Sequence, residues 1–309
     1  MKPARGSNLR VRNPIRPVNG PTSRLTPASG AFLAVWRPTC SFARMRTWIS
    51  LWLFALTAVD AVALSGREVI EAAQQQHGFS TWKDRSLFAK MASYDGTVVT
   101  REREIEVEEA TDPRGDHKTF IEFVSPTDVQ GTLFLHLSPR GKRDEQWMWT
   151  RTTQRVRRLA ESQQDENFFG SDLSYRDLEL IVRIQQWSEA EAAATLEPAE
   201  ETVDGHACQV VGLQPASQAE FPNYKRYRLW FGSSDRLLWR VDVHDLDDKV
   251  IKRVTMQKYA TIGRYATATD ADVANPLADT HTAFAMRDIK YDQGVAETAF
   301  SLSRLSKGQ

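Results

Sequence analysis

Four short runs decide how this chain is read: D-V-Q-G-T-L-F-L (Asp128–Leu135), Q-W-M-W (Gln146–Trp149), Q-R-V-R-R-L (Gln154–Leu159) and F-F-G-S-D-L-S-Y-R-D-L (Phe168–Leu178). The first three alternate apolar and polar residues with the period of half-buried strands. Trp147 and Trp149 share one strand face, and Arg155, Arg157 and Arg158 follow just beyond. No nucleophile, base or metal constellation accompanies them, so the block points to binding rather than bond-making. Phe168 and Phe169 are adjacent aromatics bracketed by polar residues and Gly170, and both cannot point inward along one regular element. Ser174-Tyr175-Arg176-Asp177 has the spacing of a capping box, with Asp in place of the usual Glu, and predicts a helix from Tyr175 through Trp187.

Upstream, Ser65-Gly66-Arg67-Glu68 is another capping box, and Val69, Ile70 and Ala73 give the helix that follows one apolar face. From Leu87 the period becomes two. Strands are predicted over 87–94, 97–109 and 118–124, separated by turn signals at Asp95-Gly96 and Asp112-Pro113-Arg114-Gly115. Strands at 132–137, 146–150 and 155–159 continue as a meander. Beyond an acidic, alanine-rich stretch at 188–194, further strands are expected at 208–213, 225–231, 237–244, 250–259 and 281–290. Many consecutive antiparallel strands with two or three helices define an α+β protein: a large curved antiparallel sheet forming an unclosed (half) β-barrel with helices in or over its concave face.

The N-terminus stands apart. Residues 1–44 are rich in Pro, Arg, Ser and Gly and lack an apolar period, so they read as a disordered or untranslated extension. Met45-Arg46, the apolar Trp48–Val59 and the small-residue pattern Ala61-Val62-Ala63 form a secretory signal peptide over 45–63, with a mature domain at 64–309. The apolar stretch is shorter than the ~20 residues that cross a bilayer. Residues 1–63 together hold nine of the 40 basic residues and one of the 40 acidic ones, so the remainder carries a formal charge of −8. That acidity argues against a broad nucleic-acid footprint. Cys208 is the one thiol left after the leader, so no intramolecular disulfide is available, and its apolar neighbours read it as a buried small hydrophobe.

The order of D-x-x-G-T-x-F-L, Q-W, R-V-R-R and F-x-G-S-D-x-S-Y-x-D-L resembles the outer-membrane lipoprotein-sorting, LolA-like family of Gram-negative periplasmic proteins, in the branch found near RND-type lipid exporters. The likeness continues through Val203–Cys208, the Tyr224–Trp230 strand and the Ile289–Leu305 tail. Where family members often carry a proline-containing turn after the Trp strand, this chain has Thr150-Arg151-Thr152-Thr153. The resemblance implies a periplasmic carrier that binds a lipoprotein acyl group or another lipid in a hydrophobic cavity and passes it between envelope components. The alternative is an accessory subunit that docks on an RND-type inner-membrane exporter without carrying ligand. Neither reading needs an enzyme, a metal or a cofactor, and a monomer is expected.

An aromatic-rich concave face either packs its own helix or lends that surface to a ligand. The candidate ligand-binding residues are Phe134, Trp147, Trp149, Trp230 and Trp239 on strands. In the family picture, Phe168, Phe169, Tyr175 and Trp187 lie on the loop and helix facing them. Arg155, Arg157 and Arg158 are candidates for headgroup or partner contact, since guanidinium binds carboxylate and phosphate bidentately. The plainer alternative is a solvated face neutralised by Asp172, Asp177 or Glu179. The Asp245, Asp247 and Asp248 group after His244 lacks the glycine and terminal Glu of a calcium loop and reads as a hairpin turn. Ser171-Asp172 lacks the context of a hydrolase nucleophile.

Overall fold

The computed structural model describes residues 65–77, 81–184, 187–217 and 223–306. The expected extension and signal peptide lie outside these. Three α-helices occur among the described residues: α1 (Gly66–His77), α2 (Tyr175–Arg183) and α3 (Leu302–Ser306). The strands are β1 (Asp84–Asp95), β2 (Val98–Thr111), β3 (His117–Ser125), β4 (Leu133–Ser138), β5 (Glu145–Thr150), β6 (Arg155–Arg158), β7 (Ala192–Leu196), β8 (Glu201–Val203), β9 (His206–Pro215), β10 (Arg226–Gly232), β11 (Leu238–His244), β12 (Val250–Ile262), β13 (Tyr265–Asn275) and β14 (Thr280–Tyr291). All belong to one antiparallel sheet, ordered β6-β5-β4-β3-β2-β1-β14-β13-β12-β11-β10-β9-β7, with β8 paired to β9. The sheet does not close, and the fold is the expected open half-barrel.

This order explains why one face is covered. β6 and β7 follow each other in the chain yet sit at opposite edges of the sheet. The segment joining them, which contains α2, therefore has to traverse a face of the sheet to get from one edge to the other. Its aromatic and aliphatic residues pack on what we call the inner face. The outer face is capped differently: Phe300 and Leu305 of the C-terminal segment pack over Phe120, Leu133 and Leu135.

Both predicted capping boxes form. The Ser65 amide donates to Glu68 Oε2 at 2.6 Å and the Glu68 amide to Ser65 Oγ at 3.2 Å. Likewise the Ser174 amide donates to Asp177 Oδ2 at 2.5 Å and the Asp177 amide to Ser174 Oγ at 3.1 Å, satisfying donors that a helix start would otherwise leave bare. α1 buries Val69, Ile70 and Ala73 against β9 and β10 residues including Val211 and Leu229. Gly66 is required by proximity: a Cβ there would lie 2.8 Å from the Thr195 backbone of β7.

Three strands exceed the sequence expectation. β13 reads Y-A-T-A-T-D-A-D-V-A-N, where alanine and threonine give little apolar contrast, and β7 and β8 are short. α2 ends at Arg183 with Ile184 as its C-cap, short of the expected Trp187.

Candidate functional site

Between α2 and the inner face of β11–β14 lies a cavity of about 380 Å³, within the ~300–1,000 Å³ typical of small-molecule sites. Its walls are apolar: Val241 and Val243 on β11, Val254 and Met256 on β12, Ala271 and Val273 on β13, and Phe284 and Met286 on β14 face Leu180, Ile181 and Ile184. Small residues on β13 make the room. Ile181 is 48% exposed although it lines the cavity, which places it at the mouth.

Polar groups concentrate in two places. In one, Arg85 Nε donates to Glu109 Oε2 at 2.6 Å, and the guanidinium carbon lies 5.3 Å from the Trp82 ring and 5.9 Å from that of Tyr291. His117 Nε2 is 3.7 Å from Glu109 Oε1, and its Nδ1 is 3.0 Å from Thr111 Oγ1. Burial alone would raise the Glu109 carboxyl, but Arg85 and His117 outweigh it and hold the group down at about 2. In the other, Lys252 pairs with Asp177, which also accepts from the Tyr224 hydroxyl at 2.8 Å. Burial, and then Asp177, push the Tyr224 hydroxyl well above its ordinary range.

None of the nine aromatic candidates is among the cavity-lining residues. The reason for Trp147 and Trp149 is strand parity. β4 and β5 pair Leu133 with Trp149, Phe134 with Met148, and Leu135 with Trp147. Phe134 and Met148 face inward, so both tryptophans turn to the outer face against the C-terminal segment. Trp230 is also on the outer face, fully buried, with the Arg228 and Arg240 guanidiniums 4.7 and 4.3 Å from its ring. Trp239 stacks on His206 at 3.6 Å, and Trp187 packs against Tyr227.

Phe134, Phe168, Phe169 and Tyr175 do face inward, but as a packed cluster. Phe168 lies 5.5 Å from Phe134 and 5.4 Å from Tyr175, and Phe169 lies 4.1 Å from Phe123, ring to ring. Phe169 adopts a left-handed backbone, φ 49° and ψ 32°, which lets both phenylalanines pack toward the sheet despite being neighbours. The rim arginines sit on the edge strand β6. Arg158 pairs with Glu145 on β5 at 3.1 Å. Two of the expected partners are engaged elsewhere: Asp172 accepts from Thr280 and Thr282, and Asp177 holds Lys252.

His136, Asp144 and Ser138 come together, with His136 Nε2 2.7 Å from Asp144 Oδ2 and the Ser138 hydroxyl donating to Asp144 Oδ1 at 3.0 Å. The carboxylate stands between the other two, so the imidazole is not placed to take the serine proton, and all three are buried. Cys208 is fully buried, and burial pushes its thiol up to about 11. The His244–Asp248 segment is the β11–β12 hairpin, as expected.

The cavity residues are aliphatic side chains of β11, β12 and β14, which the sequence predicts as strands without marking their inward face, and of β13, whose alanines and threonines give little apolar contrast. Val254-x-Met256 and Phe284-x-Met286 are period-two apolar pairs and were the available signal.

An open half-barrel whose crossing segment roofs an apolar hollow is an architecture shared with several solved structures. The chain is similar to a DUF1329 family protein from Desulfovibrio piger, at 26% identity and a TM-score of 0.70 over 78% of this chain and 97% of that one. It is also similar to a domain assigned to outer-membrane lipoprotein sorting from Vibrio parahaemolyticus, at 20% identity and a TM-score of 0.67 over 78% of this chain and 99% of the other. A LolA superfamily protein from Nitrosomonas europaea shares the fold at 12% identity and a TM-score of 0.58, over 79% of this chain and 100% of that one. No curated protein matches the sequence. A family model described as an uncharacterized protein matches residues 115–307, more than half of the chain, and the protein belongs to that family.

Proposed function

We propose that this protein is a periplasmic carrier that takes a lipid, or the acyl group of a lipoprotein, into the cavity under α2 and passes it between envelope components without a covalent step. The observation that carries this reading is the apolar hollow itself. Its walls are aliphatic, its roof is a short amphipathic helix, and its mouth exposes Ile181. Each methylene buried there contributes roughly 0.8 kcal/mol, so even part of an acyl chain adds up to useful affinity. Export through the 45–63 signal peptide supplies the compartment, and the lipoprotein-sorting likeness of the fold agrees with it.

Titration with a fluorescent long-chain acyl ester tests the proposal. Saturable binding is expected, and Ala271→Trp, which fills the hollow, should weaken it at least about tenfold while the thermal midpoint shifts by only a few degrees. Absence of saturable binding by the wild-type protein would remove the carrier reading.

A further inference from the structure

The charged residues of the cavity say which lipids it admits, and this inference rests on the carrier reading. Four lining side chains are formally charged, and they form two closed pairs: Arg85 with Glu109, and Lys252 with Asp177. The Arg85 guanidinium places both Nε and Nη2 on one Glu109 oxygen, while Trp82 and Tyr291 flank it. Asp177 is further engaged by the Ser174 amide and the Tyr224 hydroxyl. The lining imidazoles are held as well, His77 against the Asp235 carbonyl at 2.5 Å and His117 among Thr111, Thr119 and Glu109. No lining cation among the described residues is left for an incoming anion, and a carboxylate at the Arg85 end would meet Glu109.

Hydrogen-bonding capacity remains where charge does not. Near Arg85 the Tyr291 hydroxyl lies 2.9 Å from Thr267 Oγ1, whose own proton has only a long 3.4 Å contact to the Tyr265 carbonyl, so this pair of hydroxyls can be redirected toward an uncharged polar group. Lys252 and Ala260, the residue paired with Thr267, are eight positions apart on β12, so the two polar ends are separated by roughly 26 Å along the strand. That exceeds the ~15 Å of one leaflet of a ~30 Å hydrocarbon core. One extended acyl chain spans most of it.

We propose that the cavity selects an uncharged, elongated lipid, a long-chain ester or alcohol, and discriminates against the ionised fatty acid of the same length. The test compares methyl hexadecanoate, hexadecanol and hexadecanoate as competitors for a neutral fluorescent probe on the purified protein, at one pH where the acid is ionised. The ester and alcohol should displace the probe at concentrations at least about tenfold lower than the acid, because a buried unpaired carboxylate is strongly disfavoured. In Glu109→Gln, where Arg85 loses its counter-charge, hexadecanoate should gain affinity relative to the ester. Wild-type protein binding hexadecanoate as tightly as the ester would overturn the selectivity and leave the carrier reading intact. Failure of all three to displace the probe would overturn both.

Discussion

The two halves of the inner face share one sheet and one alternation, yet one is solid and the other hollow. Over β1–β5, Phe123, Phe134, Phe168, Phe169 and Tyr175 fill the space between sheet and crossing segment with tilted and edge-on rings. Over β11–β14, Val, Ala and Met side chains stop short of α2 and leave the cavity. Side-chain volume at equivalent inward positions makes the difference, since interiors pack densely wherever the residues are large enough to meet. The ring cluster holds the crossing segment against the sheet, while the aliphatic half leaves the hollow on which the proposed carrier role rests.

Breaking the solid half should have the largest effect. Phe134 is completely buried at the centre of the ring cluster, and Phe134→Ala should cost about 3–5 kcal/mol of unfolding free energy in a denaturant titration. If the halves are as distinct as their packing, lipid affinity under folding conditions will change far less than stability does.

The polar end of the hollow, where Arg85, Glu109 and His117 reach in from β1, β2 and β3, should show its own weakness in acid. Arg85 and His117 hold the folded-state Glu109 carboxyl down at about 2, below its ordinary 4.5. A lowered folded value means that its stabilisation is present above the unfolded pKa and is lost as pH falls from about 4.5 toward 2. The loss should approach about 3 kcal/mol at the bottom of that window. Equilibrium unfolding of wild type and Glu109→Gln across the window measures it, and the variant should have the flatter profile there.

The smallest effect belongs to the junction of the halves. Ser174→Ala removes the hydroxyl that accepts from the Asp177 amide at the start of α2, at a cost of about 1 kcal/mol. Hydrogen exchange should locate the change in α2, with the ring cluster and β11–β14 keeping their protection.

Much of the architecture was legible because it depends on local pattern. The two capping boxes, the Asp95-Gly96 turn and most strands follow from spacing alone. The site was less legible for two physical reasons. Alternation tells that Trp147 and Trp149 share a face, but nothing in Q-W-M-W says which face; the pairing partners Leu135 and Leu133 and the C-terminal segment decide that. And a hollow is the absence of bulk, signalled in β13 by alanines that weaken the strand pattern itself. The aromatic residues drew attention because of their size, and their size is what makes them pack.

A sheet that never closes keeps two unfinished borders, and one of these, β6, is R-V-R-R. Strand borders invite annealing with any extended chain that drifts alongside. Two copies meeting border to border here would press guanidinium rows together, so mutual repulsion guards the gap that an open barrel cannot avoid having. The arginines that looked like a grip for something anionic also serve as a fence.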